Sequence, residues 1–295
     1  MISGQIDSLL ARFSARPNLL DRGHGLKTHM VSTPVGAVRV SDTGTEKPCV
    51  VIVPDGPNVI EHYQELIEIL SPSLRVVCFD MPGFGHSLPS GSYTHSLDQG
   101  ARAVLGVLDS LNIESASLAF SCANGLYAIR AAYLAPQRIR SLVLAQTPSL
   151  ASMHAWTKVI PWPLPVPVIG QFVAWLARKN FARIWYPRAL PRSTDAEPFT
   201  QKAMNAFATG SCFCLAGVVQ GLCREHSNAL KQISTPCTMV WGDQDRSHRK
   251  TDPKSVLSSV PKANIVYFED CGHFPDIEQP KRYAALLLDQ AKKYA

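Results

Sequence analysis

The chain of 295 residues lacks the patterns that mark several classes of protein. Its 29 basic and 23 acidic residues leave a formal charge of +6, but no run of five or six like charges and no nucleic-acid motif occurs. No apolar run reaches the roughly eighteen residues that span a bilayer. The sequence therefore predicts a protein that binds no nucleic acid and does not insert stably into a membrane.

The N-terminal stretch MISGQIDSLLARFSARPNLL has no small-residue cleavage site, and Asp7 and Arg12 interrupt what would be the apolar part of a signal peptide. We expect an amphipathic helix there, within an N-terminal extension of residues 1–28. We also expect a cytoplasmic protein, and the eight cysteines fit that compartment as unpaired core thiols.

One set of metal-like residues is present, in the order C-x-C followed by C-x-x-H. The surrounding stretch ATGSCFCLAGVVQGLCREH is apolar and helix-like, without the loops that metal clusters use. We therefore expect these side chains to pack in the core, and we predict no metal and no cofactor. The set consists of Cys212, Cys214, Cys223 and His226.

The 46% hydrophobic content suffices for a large core, and its periodicity alternates between strands and helices. Strand-like runs such as CVVIVPDG, LRVVCFD, ASLAF and RSLVLAQTP are separated by helical patterns such as VIEHYQELIEIL and SLDQGARAVLGVLDSLNI. This succession predicts an α/β fold with a mostly parallel sheet, helices on both faces and functional sites at the carboxyl ends of the strands.

The alternation stops after Thr147 and resumes at CTMVWGDQD. Between these points lie a proline-rich connection and two helical stretches, VAWLARKNFARIWY and FTQKAMNAFATGSCFCLAGVVQGL. An insertion at this place can cover the strand ends. We predict a helical cap of residues 149–233, inserted between the core segments 29–148 and 234–295.

Three motifs carry a resemblance to a known family. VVCFDMPGFGHS, VWGDQD and CGHFPDIEQP are similar to the turn after the fourth strand, the acid-bearing strand end and the histidine loop of the α/β-hydrolase fold superfamily. The layout over roughly residues 29–292 resembles capped epoxide hydrolases, haloalkane dehalogenases and carbon–carbon bond hydrolases. The resemblance implies a catalytic triad with His273 as the base and Asp245 as the acid, and Asp243 is the second choice for the acid.

The nucleophile is less clear, because the sequence contains no G-x-S-x-G motif. GHSLP, at residues 85–89, is a decoy that precedes the expected turn by a whole helix. The turn itself is FSCANG, which offers both Ser121 and Cys122. Small residues two positions before and after the nucleophile favour Ser121, which Ala119 and Ala123 flank. The family register, which fits without a gap, favours Cys122, and we prefer Cys122.

The expected oxyanion hole departs from the family pattern. Relatives end the corresponding strand in His-Gly, and the next residue donates its N–H to the oxyanion. Here the turn reads Asp55-Gly56-Pro57, and proline has no N–H to donate. The Ala123 N–H is then the remaining donor, unless the loop shifts so that Asn58 donates too. Alternatively, Asp55 and Asn58 contact the substrate, or the turn is only structural.

The cap is rich in aromatic and aliphatic residues, which favours an apolar or acyl small molecule as the substrate. We therefore predict a hydrolase that cleaves an ester, thioester or lactone through an acyl-enzyme on Cys122. Carbon–carbon bond hydrolysis and acyl transfer by the same fold are the enzymatic alternatives. A non-catalytic ligand-binding homologue is the third alternative, although it would not need to retain Asp245 and His273. The sequence does not predict the oligomeric state.

Overall fold

Nine strands form the central sheet in the computed structural model of the protein, which describes residues 2–15, 25–158, 160 and 162–294. A short two-stranded sheet accompanies it. The strands are β1 (His29–Thr33), β2 (Gly36–Asp42), β3 (Cys49–Val53), β4 (Arg75–Phe79), β5 (Phe84–Gly85), β6 (Leu88–Pro89), β7 (Ala116–Ser121), β8 (Ile139–Ala145), β9 (Cys212–Phe213), β10 (Cys237–Gly242) and β11 (Asn264–Phe268).

Ten α-helices accompany these strands in the same parts of the chain. They are α1 (Ile2–Ser14), α2 (Gln64–Leu70), α3 (Leu97–Ser110), α4 (Cys122–Leu134), α5 (Leu150–Thr157), α6 (Ile169–Ala189), α7 (Glu197–Ala208), α8 (Leu215–Arg224), α9 (Pro275–Glu278) and α10 (Pro280–Lys293). Short 3-10 turns lie at Ile60–Tyr63, Pro136–Arg138 and Pro253–Ser258.

The sheet order is β1-β2-β4-β3-β7-β8-β10-β11, and β6 pairs with β2. The strands from β4 to β11 in this order are parallel, whereas β2 is antiparallel to β1, β4 and β6. This arrangement confirms the predicted α/β class with a mostly parallel sheet. Because β3 is parallel to its neighbour β7, the carboxyl ends of these two strands meet at one edge of the sheet, where the site is found.

The alternation of side chains along β3 explains why both faces of the sheet are covered. Val51 and Val53 belong to a core cluster with α3 and α4, whereas Val50 and Ile52 belong to a second cluster with α2 and α10. A strand buried on both faces needs an unbroken apolar run, which CVVIV provides.

Helices α5 to α8 and strand β9 lie between β8 and β10 in the chain, within the predicted cap segment (residues 149–233). The prediction of one helical stretch through residues 199–222 is wrong, because the helix breaks between α7 and α8. Gly210 has a φ of +97°, and Phe213 of β9 pairs with Phe84 of β5. This pairing joins the segment to the turn after β4. The domain boundaries stay a prediction.

Helix α1 forms where the sequence predicted a helix, and the Trp175 side chain of α6 donates a hydrogen bond to Ser14 Oγ at 2.7 Å. Residues 16–24 of the predicted extension lie outside the described residues. All eight cysteines are described, and none forms a disulfide. None of the described helices is long and apolar enough to cross a bilayer.

Candidate active site

Cys122 occupies the sharp turn at which β7 ends and α4 begins. Its φ is +51°, in the left-handed region that few residues other than glycine adopt. Gly125 makes the close packing of α4 possible, because a Cβ at this position would lie 2.1 Å from Thr147 Oγ1. The strand–turn–helix geometry is the one that presents a nucleophile at the edge of such a sheet.

Ser121 lies on the other side of this turn and is fully buried. Its hydroxyl donates a hydrogen bond to Asp276 Oδ2 at 2.7 Å, and the Tyr63 hydroxyl donates to the same oxygen at 2.9 Å. The Ser121 hydroxyl therefore faces Asp276. The backbone of Cys122, and not of Ser121, takes the left-handed conformation, and the choice of Cys122 as the nucleophile stays a prediction.

His273 and Asp245 meet as the resemblance implied. His273 Nδ1 donates a hydrogen bond to Asp245 Oδ2 at 2.7 Å, and Asp245 Oδ1 accepts bonds from the N–H and hydroxyl of Ser247. Although burial alone would raise it, the charge and hydrogen bond of His273 lower the pKa of Asp245 to about 2. The second choice for the acid, Asp243, instead accepts a bond from the N–H of Cys271.

The loop that carries His273 is fixed by Glu278. Its two carboxylate oxygens accept the N–H groups of Gly272 at 2.7 Å and Phe274 at 2.8 Å, one on each side of His273. The N–H of His273 itself donates to the carbonyl of Ala189 at 2.8 Å. These bonds explain the glutamate of the histidine motif as a support for the loop.

Asp55 gives the site a second carboxylate on the same histidine. Its Oδ2 lies 3.2 Å from His273 Nε2, so Asp55 and Asp245 contact opposite ring nitrogens. Burial opposes the charged ring, but the two carboxylates together raise the pKa of His273 well above its usual value. The resting histidine is therefore an imidazolium. Burial also raises the pKa of Asp55, and the contact with His273 offsets part of that effect.

The Cys122 thiol lies beside this ion cluster. Burial and the charge of Asp55 raise its pKa, and a hydrogen bond with His273 and one from the Ala123 N–H lower it in part. The thiol is therefore neutral at rest. Since the Ala123 N–H points to the sulfur from the first turn of α4, it is also placed to meet charge that develops there.

The backbone of the turn after β3 is hydrogen-bonded within the turn. The Asn58 N–H donates to the carbonyl of Asp55 at 2.9 Å, and Asn58 Oδ1 accepts a bond from the Tyr186 hydroxyl. Asn58 Nδ2 is buried without a hydrogen-bond partner among the described residues, and a contact of Asn58 with the substrate or the oxyanion stays a prediction. Gly56 permits the tight approach of Phe84, which would lie 2.8 Å from a Cβ at this position.

His248 is a site residue that the sequence analysis missed. Its ring stacks on that of His273, with centroids 5.1 Å apart and planes 5° apart, and its Nε2 lies 3.9 Å from Cys122 Sγ. Burial lowers its pKa to about 4, so the ring is neutral. The sequence feature that could have identified His248 is its position three residues after Asp245, in the same turn. The two histidines and Cys122 do not make an evident metal site, because both ring nitrogens of His273 already contact carboxylates.

A small cavity of about 60 Å³ opens above Cys122 between the sheet and the cap segment. Of the tryptophans of the cap segment, Trp156 and Trp185 line it. Trp162 is exposed, Trp175 packs against α1, and Tyr186 is buried beside Asn58. Other lining residues are Asp55, Gly56, Phe84, Cys122, Ala123, Asn124, Met153, Thr157, Phe181, Leu215, Val218, Val219 and Leu222.

Comparison with known proteins agrees with this geometry. A family model for the Alpha/beta hydrolase family matches residues 50–286. The chain belongs to this family. It is a hydrolase of the α/β type, and a small molecule is the kind of substrate such relatives use.

Two relatives of this α/β hydrolase are named as hydrolases of a dioate and of a semialdehyde. It is 25% identical over 287 residues to a 2-hydroxy-6-oxononadienedioate/2-hydroxy-6-oxononatrienedioate hydrolase of Paraburkholderia phymatum. The aligned region covers 92% of this chain and 93% of the relative. It is 25% identical over 262 residues to a 2-hydroxymuconate semialdehyde hydrolase of Pseudomonas sp., with 84% and 88% covered. Epoxide hydrolase A of Mycobacterium thermoresistibile has the same fold, with a TM-score of 0.73, 16% identity and coverage of 90% and 98%.

Proposed function

We propose that this hydrolase cleaves an ester, thioester or lactone of a neutral apolar acyl group through a thioester intermediate on Cys122. The observation that carries the proposal is the position of Cys122. It alone combines the left-handed conformation of the turn with a sulfur beside His273 and an opening to the cavity. The roles of Cys122, His273, Asp245, Asp55 and Ala123 below are parts of this proposal.

The sulfur attacks the substrate carbonyl carbon, and the thiol proton passes to the histidine. The oxyanion of the tetrahedral intermediate accepts the Ala123 N–H, and its collapse breaks the bond to the leaving alcohol or thiol, which takes a proton from His273. Water then attacks the thioester with His273 as the base, which releases the carboxylic acid and restores the thiol.

The resting protonation state gives Asp55 a part in this cycle. With His273 already an imidazolium, its Nε2 proton has to leave before the ring accepts the thiol proton. Asp55 Oδ2, at 3.2 Å, is the acceptor in contact, and burial favours its protonated form. Asp245 meanwhile holds the ring by Nδ1. We assign to Asp55 the temporary storage of that proton.

The cavity supports a neutral substrate. Among the described residues that line it, none is a lysine or an arginine, and Asp55 is the charged one. A substrate carboxylate in this cavity would lose its hydration without gaining a cationic partner. Trp156, Trp185 and the aliphatic residues of α8 instead offer apolar contacts.

Carbon–carbon bond hydrolysis is the second candidate, and the two relatives favour it. The dioate in the name of the first relative is a doubly charged anion, which the acidic lining opposes. Incubation with 2-hydroxymuconate semialdehyde, followed by its loss of absorbance, tests this candidate directly. Turnover that depends on His273 would replace ester cleavage by carbon–carbon bond cleavage as the proposed reaction.

The main experiment is acylation by a β-lactone or an activated thioester, followed by peptide mapping by mass spectrometry. We expect one acyl group on Cys122 in the wild type and in Ser121→Ala, and none in Cys122→Ala. Cys223, an exposed thiol outside the cavity, is the control for unspecific acylation. An adduct on Ser121, or none at any site, would overturn the cysteine mechanism, and the latter result would support a ligand-binding protein.

A further inference from the structure

A second cluster of chemically active side chains is buried where three parts of the chain meet. Asp7 lies on α1, His95 precedes α3 in the core, and Cys214 lies between β9 and α8 of the cap segment. One potential ligand atom from each lies within 4.8 Å of the others, and Asp7 Oδ2 is 3.8 Å from His95 Nε2.

Several polar atoms of this cluster lack a partner. Asp7 Oδ2 and both ring nitrogens of His95 are buried without a hydrogen-bond partner among the described residues, although the Asp7 carboxyl also has Cys214 and Gln171 as hydrogen-bonding neighbours, which lower its pKa against the larger effect of burial. Both side chains are at least 97% buried. An unsatisfied buried polar atom is destabilising, so three of them at one place point to a bound group that satisfies them.

The backbone leaves room for such a group. A Cβ at Gly217 would lie 2.5 Å from Asp7 Oδ2 and 2.6 Å from His95 Nε2, and one at Gly83 would lie 3.0 Å from Cys214 Sγ. Two glycines thus let α8 and the turn after β4 approach the cluster. A cavity of about 10 Å³ adjoins the cluster on the side of Asp7 and Cys214, and His95 does not line it.

The conformation of His95 is a further sign of a built site. Its φ is +55°, a value that is uncommon for residues other than glycine. The Tyr127 hydroxyl donates a bond to its carbonyl at 2.9 Å, and the Tyr93 ring packs edge-on at 4.5 Å. These contacts hold the imidazole toward Asp7 at the expense of local strain.

We propose that Asp7, His95 and Cys214 bind a zinc ion that joins α1 to the core and to the cap segment. Thiolate sulfur, imidazole nitrogen and carboxylate oxygen are the ligand types that zinc takes in proteins, at about 2.0–2.3 Å. Ligand atoms around a tetrahedral zinc are then about 3.3–3.7 Å apart, close to the spacing of Asp7 and His95. Binding releases the Cys214 thiol proton to solvent.

This ligand set differs from the one that the sequence analysis considered and rejected. Cys223 is exposed and donates a hydrogen bond to Thr157, and it does not join Cys214 in the cluster. The ligands of the proposed site come from segments far apart in the sequence, so their spacing gives no motif.

The test is the zinc content of the full chain, measured by elemental mass spectrometry after expression with zinc and removal of loose metal. We expect about one zinc per chain in the wild type and in Cys122→Ala, and about a tenth of that or less in Cys214→Ala and Asp7→Asn. Cys212→Ala is the matched control, because Cys212 is also a buried thiol, lies on β9 two residues before Cys214, and should keep the metal.

Thermal unfolding gives a second readout. Chelation should lower the Tm of the wild type and of Cys122→Ala, and added zinc should restore it, with no such shift in Asp7→Asn. A wild type without zinc and without a zinc-dependent Tm would overturn the proposal. The proposal would also be overturned if Cys122→Ala lost the zinc and Cys214→Ala retained it, because the metal would then lie in the cavity beside Cys122. Because Cys122 and the proposed zinc ligands are separate, failure of either proposal leaves the other standing.

Discussion

Replacement of Asp55 by asparagine should make the Cys122 thiol more acidic. After burial, the charge of Asp55 is the largest cause that raises the pKa of this thiol. Asparagine has the same size and removes the charge. In the variant, Asp245 still accepts the Nδ1–H of His273, and this contact continues to raise the pKa of the ring.

The expected size of the effect follows from Coulomb's law. At an effective dielectric constant of about 20, a unit charge a few ångströms away contributes on the order of 3 kcal/mol, or about 2 pKa units. Part of this gain is lost because His273 also becomes less basic in the variant. We therefore expect the thiol pKa to fall by about 1 unit, and alkylation below that pKa to become about tenfold faster.

The assay is the rate of alkylation of Cys122 by iodoacetamide, measured by peptide mapping from about pH 5 to pH 10. Asp245→Asn is the matched variant, and we expect it to shift the thiol pKa in the opposite direction. Loss of the Asp245 charge makes the imidazolium form of His273 less stable, and because that cation stabilises the thiolate, the thiol pKa should rise. The exposed Cys223 reports the intrinsic reactivity of the reagent in every sample. An unchanged or raised thiol pKa in Asp55→Asn would refute the assignment of Asp55 as the dominant charge beside the sulfur.

Three further predictions concern the framework of the site. Ser121→Ala should lower the free energy of unfolding by about 1–2 kcal/mol in urea melts, because buried Asp276 loses a hydrogen bond. The rate of Cys122 alkylation should stay unchanged in this variant, and a slower rate would support a catalytic role for Ser121. Gly125→Ala should lower the free energy of unfolding by about 1–3 kcal/mol, because the new methyl group clashes with Thr147. The double variant Gly125→Ala/Thr147→Ala should recover part of this loss. Equal stability of the single variant and the wild type would contradict the packing. Burial raises the pKa of Glu278 from 4.5 to about 7, so the folded state binds the proton more tightly and stability should fall between pH 4.5 and 7. Urea melts at several pH values should show less of this decline in Glu278→Gln, and an equal decline would assign it to other groups.

The sheet could be predicted from the sequence because its signal is local. Val50 to Val53 form an unbroken apolar run, and such a run fits only a strand buried on both faces, as β3 is. The break between α7 and α8 could not be predicted in this way. Cys212 and Phe213 have a helix-compatible pattern, and only their pairing with β5, more than a hundred residues earlier, makes them a strand.

The site was predictable where a motif fixes the position of a residue. Asp245 and His273 lie in such motifs and do meet. The choice between Ser121 and Cys122 stays a prediction, because local composition favours Ser121 whereas the backbone angle of the turn favours Cys122. The partnership of Ser121 with Asp276 joins residues from β7 and α9, and no periodicity connects them.

Asp55 and Pro57 together restrict the chemistry of this site. Removal of one oxyanion donor costs roughly 100- to 1,000-fold in kcat where it has been measured, and here Pro57 has no N–H while the N–H of Asn58 already serves the turn. In the proposed mechanism, the oxyanion therefore depends on the Ala123 N–H, with the carboxylate of Asp55 close by. Substrates that need strong oxyanion stabilisation, such as unactivated alkyl esters, should therefore react slowly. Thioesters and strained lactones carry part of the activation in their own bonds, and for this reason we place them ahead of simple esters in the search for a substrate.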